Sequence, residues 1–256
     1  MDQTASGSWS SGITPVWCPG CGDFAVLRAL EKTLARSGTR PENVCWVSGI
    51  GCACRLPCFV RGYAFHGVHG RALPVATGIK LSNPSLRVIV TMGDGDALSI
   101  GAGHLPHTCR RNPGVTCLVI DNGLYGMTKG QPSPTAPAGK TPPLDPVAVA
   151  VASGATFAAR TAATNAPEME AMFAAAFEHR GFAMIHVLSP CATFGGPEPH
   201  AALRAAVRPL DGERLLDRGA AVAAALARDP VRTGLFWRET RPTLEETARP
   251  AAPLPA

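Results

Sequence analysis

The chain has 256 residues, a formal net charge of +5 and nine cysteines, which suits one large α/β domain with a substantial core and excludes two cofactor domains side by side. Residues 1–15 are polar with no basic-then-apolar leader and the Ala-rich runs break before membrane-spanning length, so a cytoplasmic protein is expected, with neither a membrane nor a nucleic-acid partner. In a reducing compartment, spaced cysteines point to metal ligation or catalysis rather than disulfides, and the modest basic excess favours an acidic partner.

Residues 1–16 read as a flexible N-terminal segment, 17–238 as one domain and 239–256 as a Pro- and charge-rich tail. Trp17-Cys-Pro-Gly-Cys-Gly22 forms a C-x-x-C turn. Asp23 then N-caps a helix over 24–36, in which Phe24, Leu27, Leu30 and Leu34 keep helical spacing and Gly38 follows the end. A strand over 44–48 leads into a loop, 49–74, dense in Gly, Cys, His and Arg and longer than usual connections, which marks it as functional. A short helix over 72–81 precedes a strand over 87–92 and the tetrad Gly93-Asp94-Gly95-Asp96, with a helix beginning near Ala97. The next strand covers 115–120 and ends at Asp121-Asn122-Gly123. Residues 123–146, rich in Pro and Gly, predict an ordered surface loop. A helix over 146–154, a strand over 156–160, a helix over 167–179 and a strand over 182–188 follow, the last running into Ser189-Pro190-Cys191. A helix over 210–227 and an extended piece over 234–238 complete the domain. Alternating strands and helices of this kind predict an α/β fold: an open, mostly parallel sheet with helices on both faces.

In a right-handed βαβ unit Asp94 and Asn122 stand at the carboxyl ends of neighbouring parallel strands. Magnesium binds six oxygens and usually takes one or two from protein with the rest from water and phosphates, which this pair suits, a backbone carbonyl in the turn at Gly123 and Leu124 adding a further donor. Gly93 and Gly95 let the backbone approach a diphosphate, and the following helix start offers free N–H groups. The plainer alternative is a strand-to-helix turn with an aspartate cap. Gly49-Ile-Gly51-Cys52, the 93–96 tetrad, Asp121-Asn122 and Pro190-Cys191 each directly follow a strand, and the carboxyl edge of a parallel sheet is where ligands bind. Cys18 and Cys21 from the turn, with Cys52 and Cys191 from distant strand ends, suit a tetrahedral zinc or a [4Fe-4S] cluster; separate buried thiols are the third possibility. Structural zinc usually uses two local pairs, so the two solitary cysteines favour the cluster. Cys54 and Cys58 are alternative ligands, whereas Cys45, Cys109 and Cys117 lie on apolar elements and read as core.

The Gly93–Asn122 pattern is that of thiamine diphosphate enzymes, and from residue 17 to 194 the chain resembles the β, thiamine-binding subunit of 2-oxoacid:ferredoxin oxidoreductases. The resemblance is carried by Trp17-Cys-Pro-Gly-Cys-Gly-Asp23, Ser48-Gly-Ile-Gly-Cys52, His69-Gly-Arg-Ala72, Gly93-Asp-Gly-Asp96, Arg110-Arg-Asn112, Tyr125-Gly-Met-Thr-Lys-Gly-Gln131 and Ser133-Pro-Thr135, with a weaker echo in Arg241-Pro-Thr-Leu-Glu-Glu246. It implies Cys18, Cys21, Cys52 and Cys191 as ligands of a [4Fe-4S] cluster, and Asp94, Asn122 and the Leu124 carbonyl as ligands of Mg2+. It further implies thiamine diphosphate against Gly51, Gly93, Gly95, Asp96 and Thr128. Cys54 departs from the small residues the family commonly has after the third ligand.

The activity so implied is oxidative decarboxylation of a 2-oxoacid, 2-oxoglutarate in preference to pyruvate, to acyl-CoA and CO2 with single electrons passed to ferredoxin, or the reverse. Sites of this type lie between a diphosphate-binding and a pyrimidine-binding domain. This chain has room only for the former, so a partner α subunit is expected, in a heterodimer or a dimer of heterodimers. His69 and Arg71 are expected to contact diphosphate or substrate, His66 and His69 lining the subunit interface being the bland alternative. Lys129 with Thr128 is placed to meet a substrate carboxylate or a coenzyme A phosphate. His104, His107, Arg110 and Arg111 read as a solvated helix face. Two rival readings are the diphosphate half of a non-oxidative two-chain thiamine decarboxylase and a zinc-stapled assembly subunit without catalysis.

Overall fold

The chain enters helix α1 (Asp23–Arg36) directly from the C-x-x-C turn and reaches strand β1 (Val44–Ser48) through a 3-10 turn at Pro41–Asn43, in a computed structural model that describes residues 8–137, 141–210 and 215–248. Strand β2 (Tyr63–His66), helix α2 (Ala72–Ser82) and strand β3 (Arg87–Gly93) follow; a five-residue π-helical turn at Asp96–Ile100 then leads to α3 (His104–Arg111) and β4 (Val115–Asp121). A small hairpin, β5 (Leu124–Tyr125) and β6 (Gln131–Pro132), stands outside the main sheet. The remaining elements are α4 (Pro146–Ala152), β7 (Phe157–Ala162), α5 (Ala166–Glu178), β8 (Ala183–Leu188) and α6 (Pro199–Ala206). Then come β9 (Val207–Pro209), α7 (Arg218–Leu226), β10 (Val231–Arg238) and α8 (Leu244–Thr247).

The main sheet has eight strands in the order β2-β1-β3-β4-β8-β7-β10-β9. The first six run parallel; β10 pairs antiparallel with β7 and carries β9 parallel to itself. Side chains alternate between its two faces, so each strand feeds two cores. On one face Val88, Val90, Met92, Val115, Cys117 and Val119 meet Leu73 of α2, Leu105 and Cys109 of α3, Val147 and Val151 of α4 and Ala221 of α7. On the other, Ile89, Leu118, Ile120, Ile185 and Val187 meet Leu30 and Leu34 of α1 and Met169 and Phe173 of α5. The open, mostly parallel sheet with helices on both faces is as the strand and helix pattern predicts, and Cys45, Cys109 and Cys117 are core residues. No helix among the described residues is long and apolar enough to cross a membrane.

Four local expectations are revised. Gly22, not Asp23, occupies the cap position of α1; Asp23 sits in the first turn and accepts a hydrogen bond from Ser189 Oγ at 2.7 Å. The 49–74 loop contains a 3-10 helix at Ala53–Cys58 and the edge strand β2, whose four exposed residues lack the buried pattern of the other strands. The helix expected near Ala97 is a π-helical turn that ends after Ile100, where Gly101 packs on Gly70 so closely that a Cβ on Gly70 would lie 2.6 Å from the Gly101 nitrogen. The expected 210–227 helix starts only at α7, where the Asp217 side chain caps Ala220 N at 2.8 Å; residues 211–214 lie outside the described residues.

The chain ends are anchored where they are described. Trp9 is buried and its carbonyl accepts from Arg61 N at 2.8 Å, while Ser10 bridges Val60. Beyond Arg238, Arg241 donates to the carbonyls of Cys109 and Gly154, both at 3.0 Å, and Glu245 accepts from Gly114 N at 3.1 Å. Asn112 of the Arg110-Arg-Asn112 motif is the hub of this closure. It caps α3 in the left-handed region at φ +58°, donates to Pro242 O at 3.0 Å, and accepts from Phe182 N at 2.8 Å and Thr156 Oγ1 at 2.7 Å. Asn112→Ala leaves these buried groups without partners and puts a side chain with a Cβ but no local hydrogen bond in the left-handed region. We expect a loss of about 2–4 kcal/mol in urea unfolding; a loss below about 0.5 kcal/mol would show that the motif does not tie the chain together.

Candidate functional site

Parallel register builds the site. Gly93 of β3 pairs with Ile120 of β4, so the chain leaves the two strands side by side and Asp94 emerges next to Asp121 and Asn122. A cavity of about 400 Å3 opens there, walled by the turns after β1, β3 and β4. Of the residues singled out from sequence, Gly51, Cys52 and His69 line it from the β1 side and Gly93, Asp94, Gly95 and Asp96 from the middle. Asn122, Leu124 and Thr128 line it from the β4 side. Arg71 and Lys129 do not: the Arg71 guanidinium is 2.6 Å from His104 Nε2, and Lys129 is exposed directly after Thr128 with a left-handed φ of +76°. Gly95 has no room for a side chain, since a Cβ would come within 2.3 Å of the Tyr125 ring.

Asp94 and Asp121 are both buried, and the Thr135 hydroxyl lies 2.9 Å from Asp94 Oδ2 and 2.8 Å from Asp121 Oδ1. One hydroxyl hydrogen cannot serve both oxygens. Burial and then the Asp121 charge push Asp94 up to about 7. Burial acts the same way on Asp121, but the hydrogen bond from His186, 2.7 Å away, together with the Thr135 hydroxyl and the Gly123 N–H, wins and holds that carboxyl below the usual range. Asp94, buried with its carboxyl raised and lining the cavity with Asn122 and Leu124, offers an oxygen that a hard divalent cation would suit, which is the fit required of Mg2+. Asp121 Oδ1 also accepts from Gly123 N at 2.8 Å and Asn122 Oδ1 from Leu124 N at 2.9 Å, two successive side-chain turns that fix the loop.

Asp96 has a different task. Its carboxylate accepts from Gly70 N at 2.7 Å and Ile50 N at 3.1 Å, stands within ion-pair distance of His69 Nδ1 without hydrogen-bond alignment, and lies 3.8 Å from Cys54 Sγ. It ties the loops after β1 and β2 to the turn after β3, and Cys54 is spent on this contact.

The thiols come together from three segments. Trp17 packs edge-on against Phe24 and Phe59 and donates its indole N–H to Cys52 O at 2.8 Å, setting the C-x-x-C turn against Cys52. Gly22 N donates to Pro190 O at 3.2 Å, and a Cβ on Gly22 would fall 2.5 Å from Ser189 Oγ, so that turn is also pressed against the strand end bearing Cys191. Phe194 N points at Cys191 Sγ at 3.3 Å. Burial first, then Asp23, with Cys52 and Cys191 adding to it, pushes the Cys21 thiol up to about 12. Cys52 is raised by burial, Asp23, Cys191 and Cys18. Cys21, Cys52 and Cys191 thus lie within electrostatic reach of one another and Cys18 within reach of Cys52, although among the described residues no three His, Cys, Asp or Glu side chains stand close enough to hold a metal as they are. Cys21 and Cys52, whose neutral form burial favours, together with Cys18 of the same turn and Cys191, which the Phe194 N–H faces, are thiols a polynuclear cationic centre would suit by drawing their protons off.

Sequence reasoning placed Asp121 at the ligand edge without a role, and missed Thr135, His186 and Asp23 as members of the site. Asp23 is buried, lines the cavity and acts on both Cys21 and Cys52, and burial raises its carboxyl above the ordinary value. Thr135 stood in a quoted motif with no role attached. His186 is surrounded in sequence by apolar strand residues and carries no local signal.

A family model described as the thiamine pyrophosphate enzyme C-terminal TPP-binding domain matches residues 49–187, which places the chain among thiamine diphosphate enzymes. Over 254 residues, 90% of this chain and 82% of the relative, it is 40% identical to subunit beta of 2-oxoacid:ferredoxin oxidoreductase 2 from Aeropyrum pernix. The chain belongs to the β subunits of the 2-oxoacid:ferredoxin oxidoreductases. It is 44% identical over 188 residues to the 2-oxoglutarate oxidoreductase subunit KorB of Mycobacterium tuberculosis, spanning 70% of this chain but only half the length of that relative. A solved 2-oxoglutarate:ferredoxin oxidoreductase from Magnetococcus marinus, with 2-oxoglutarate, coenzyme A and succinyl-CoA bound, superposes with a TM-score of 0.91 at 36% identity, covering 96% of this chain and 89% of that one.

The closeness of Gly95 to Tyr125 gives a direct test of the cavity. Gly95→Ala drives the Tyr125 ring towards the cavity it lines, an overpacking of about 1–3 kcal/mol. We expect thiamine diphosphate affinity, measured by calorimetry with saturating Mg2+, to fall by roughly tenfold or more; unchanged affinity would remove the 93–96 turn from the cofactor site.

Proposed function

We propose that this chain holds thiamine diphosphate through Mg2+ bound by Asp94, Asn122 and the Leu124 carbonyl. Cys18, Cys21, Cys52 and Cys191 hold a [4Fe-4S] cluster beside it. With an α subunit, it takes part in converting a 2-oxoacid and coenzyme A to acyl-CoA and CO2, two electrons leaving singly to ferredoxin, or in the reverse. The observation that carries the reading is the sharing of walls: Cys52 and Asp23 belong both to the cavity and to the thiol group. When bound, thiamine diphosphate supplies carbanion stabilisation and the cluster a one-electron outlet.

The chain's own residues bind and orient. Gly93 and Gly95 admit the diphosphate, Asp94 and Asn122 offer the cation their oxygens, and Asp96 keeps the surrounding loops closed. Among the described residues the cavity lining includes no glutamate, which supports a partner chain as the source of the carboxylate that activates the aminopyrimidine. Lys129, exposed directly after the cavity-lining Thr128 though not itself in the wall, is the cation we assign to the second carboxylate of a dicarboxylic 2-oxoacid. This favours 2-oxoglutarate, the substrate named for the Mycobacterium tuberculosis and Magnetococcus marinus proteins.

Anaerobic co-expression with an α subunit, iron and zinc analysis, and viologen reduction across 2-oxoacids test this together. We expect iron without zinc, coenzyme A-dependent viologen reduction by the pair and no turnover by the isolated chain. Zinc without iron would establish an assembly subunit, and CO2 release without viologen reduction a non-oxidative decarboxylase. Lys129→Ala should raise KM for 2-oxoglutarate by roughly tenfold or more, the loss of one charge-assisted contact, and leave pyruvate turnover unchanged. An equal effect on both substrates would refute the carboxylate contact.

A further inference from the structure

Behind the cavity a continuous file of buried polar groups runs through the sheet edge. Arg160 Nε donates to His186 Nδ1 at 3.0 Å, and its Nη2 pairs with Asp145. Arginine has no acceptor, so Nδ1 must be the accepting nitrogen of His186, and the ring's hydrogen sits on Nε2, 2.7 Å from Asp121 Oδ2. Asp121 Oδ1 already receives the Gly123 N–H at 2.8 Å. Both oxygens of Asp121 are thus supplied from behind and from its own loop. Thr135 Oγ1 lies 2.8 Å from Asp121 Oδ1 and 2.9 Å from Asp94 Oδ2, with the Ser133 hydroxyl 3.1 Å away; since Asp121 already has an N–H on each oxygen, the geometry points to Asp94 Oδ2 as the acceptor of its single hydrogen. Thr135 itself is buried and held in its turn by Ala136 N, which donates to Ser133 O at 3.1 Å, and by Ser133 N, which donates to Gly123 O at 3.0 Å.

We infer that Thr135 is a positioning residue for the cation site: by donating to Oδ2 of Asp94 it fixes the plane of that carboxylate and so the direction in which it meets a divalent cation. His186, Arg160 and Asp145 supply Asp121 so that it does not compete for the hydroxyl hydrogen. This rests on the reading of Asp94 as a cation ligand. An outer partner that fixes a ligand's orientation is typically worth about 10–100-fold in metal affinity.

The test uses the chain purified with its α partner and titrates Mn2+, in place of Mg2+, by electron paramagnetic resonance with saturating thiamine diphosphate. Thr135→Val is expected to weaken Mn2+ binding about 10–100-fold, whereas Thr135→Ser keeps it within about threefold of wild type. Thr156→Val, which removes a buried hydroxyl bonded to Asn112 and Phe182 at the other end of the strands, is expected to lower the melting temperature and leave Mn2+ affinity unchanged. Wild-type affinity in Thr135→Val, or equal losses in the Val and Ser variants, would overturn the inference. If Thr135→Val does not fold, Thr135→Ala takes its place; should neither fold while the Ser variant does, the hydroxyl serves stability and the positioning role is refuted. Failure of the wild-type complex to bind Mn2+ with thiamine diphosphate would instead overturn the assignment of Asp94 as a ligand.

Discussion

Two carboxylates are forced together inside the protein by strand register. Because β3 and β4 pair in parallel with Gly93 beside Ile120, Asp94 and Asp121 leave the sheet as neighbours, and both are buried. Like charges at such depth cannot both be ionised without compensation. The fold answers with asymmetry. Asp121 is compensated from within by His186 and the loop N–H of Gly123, while Asp94 is left with hydroxyl donors and a carboxyl raised to about 7. The less compensated member is the one facing the cavity. A divalent cation there, as proposed, would relieve an electrostatic cost that strand register has already built into the folded chain.

The same constraint explains the loops. An open edge carrying a buried acid pair needs its surrounding turns held at fixed distance, and a second aspartate does this. Asp96 accepts from Ile50 and Gly70, which belong to connections after two other strands. Glycine at position 49 is required for that embrace, since a Cβ there would lie 2.0 Å from Asp96 Oδ2. Gly70 and Gly101 touch where the π-helical turn ends after Ile100. Of the four residues Gly93 to Asp96, one acid therefore pairs with Asp121 at the cavity and the other fastens the walls, a division that their symmetrical spacing conceals.

This conceals and reveals in a regular way. Strands buried on both faces were legible because unbroken apolar, β-branched runs have few other uses, and β1 begins and ends where the sequence pattern put it. Edge strand β2 was not, because an exposed edge needs no apolar pattern; nor was α6, none of whose residues is buried. The candidate ligands Asp94, Asn122, Cys18, Cys21, Cys52 and Cys191 stood out because they follow strand ends or share a tight turn. Their supports did not. Thr135 reaches Asp94 across 41 positions, and His186 reaches Asp121 across 65, so the partnership exists only once the sheet has closed. Arg71 shows the converse: a conspicuous cation in a functional loop whose nearest partner is His104.

Those long-range supports bear on how the two halves of the site relate. Asp23 is the common element, buried at the start of α1, hydrogen-bonded to Ser189 and acting on Cys21 and Cys52 while it lines the cavity. Gly22 beside it has no space for a side chain against Ser189, so the C-x-x-C turn can approach the Cys191 strand end only with glycine there. Thiols gathered in this way are not a separate module hung on the domain. They use the sheet's carboxyl edge, the helix start and the Cys52 loop that also wall the cavity. A change that loosened the thiol group would loosen the cavity wall, and the fold gives the two no independent means of forming.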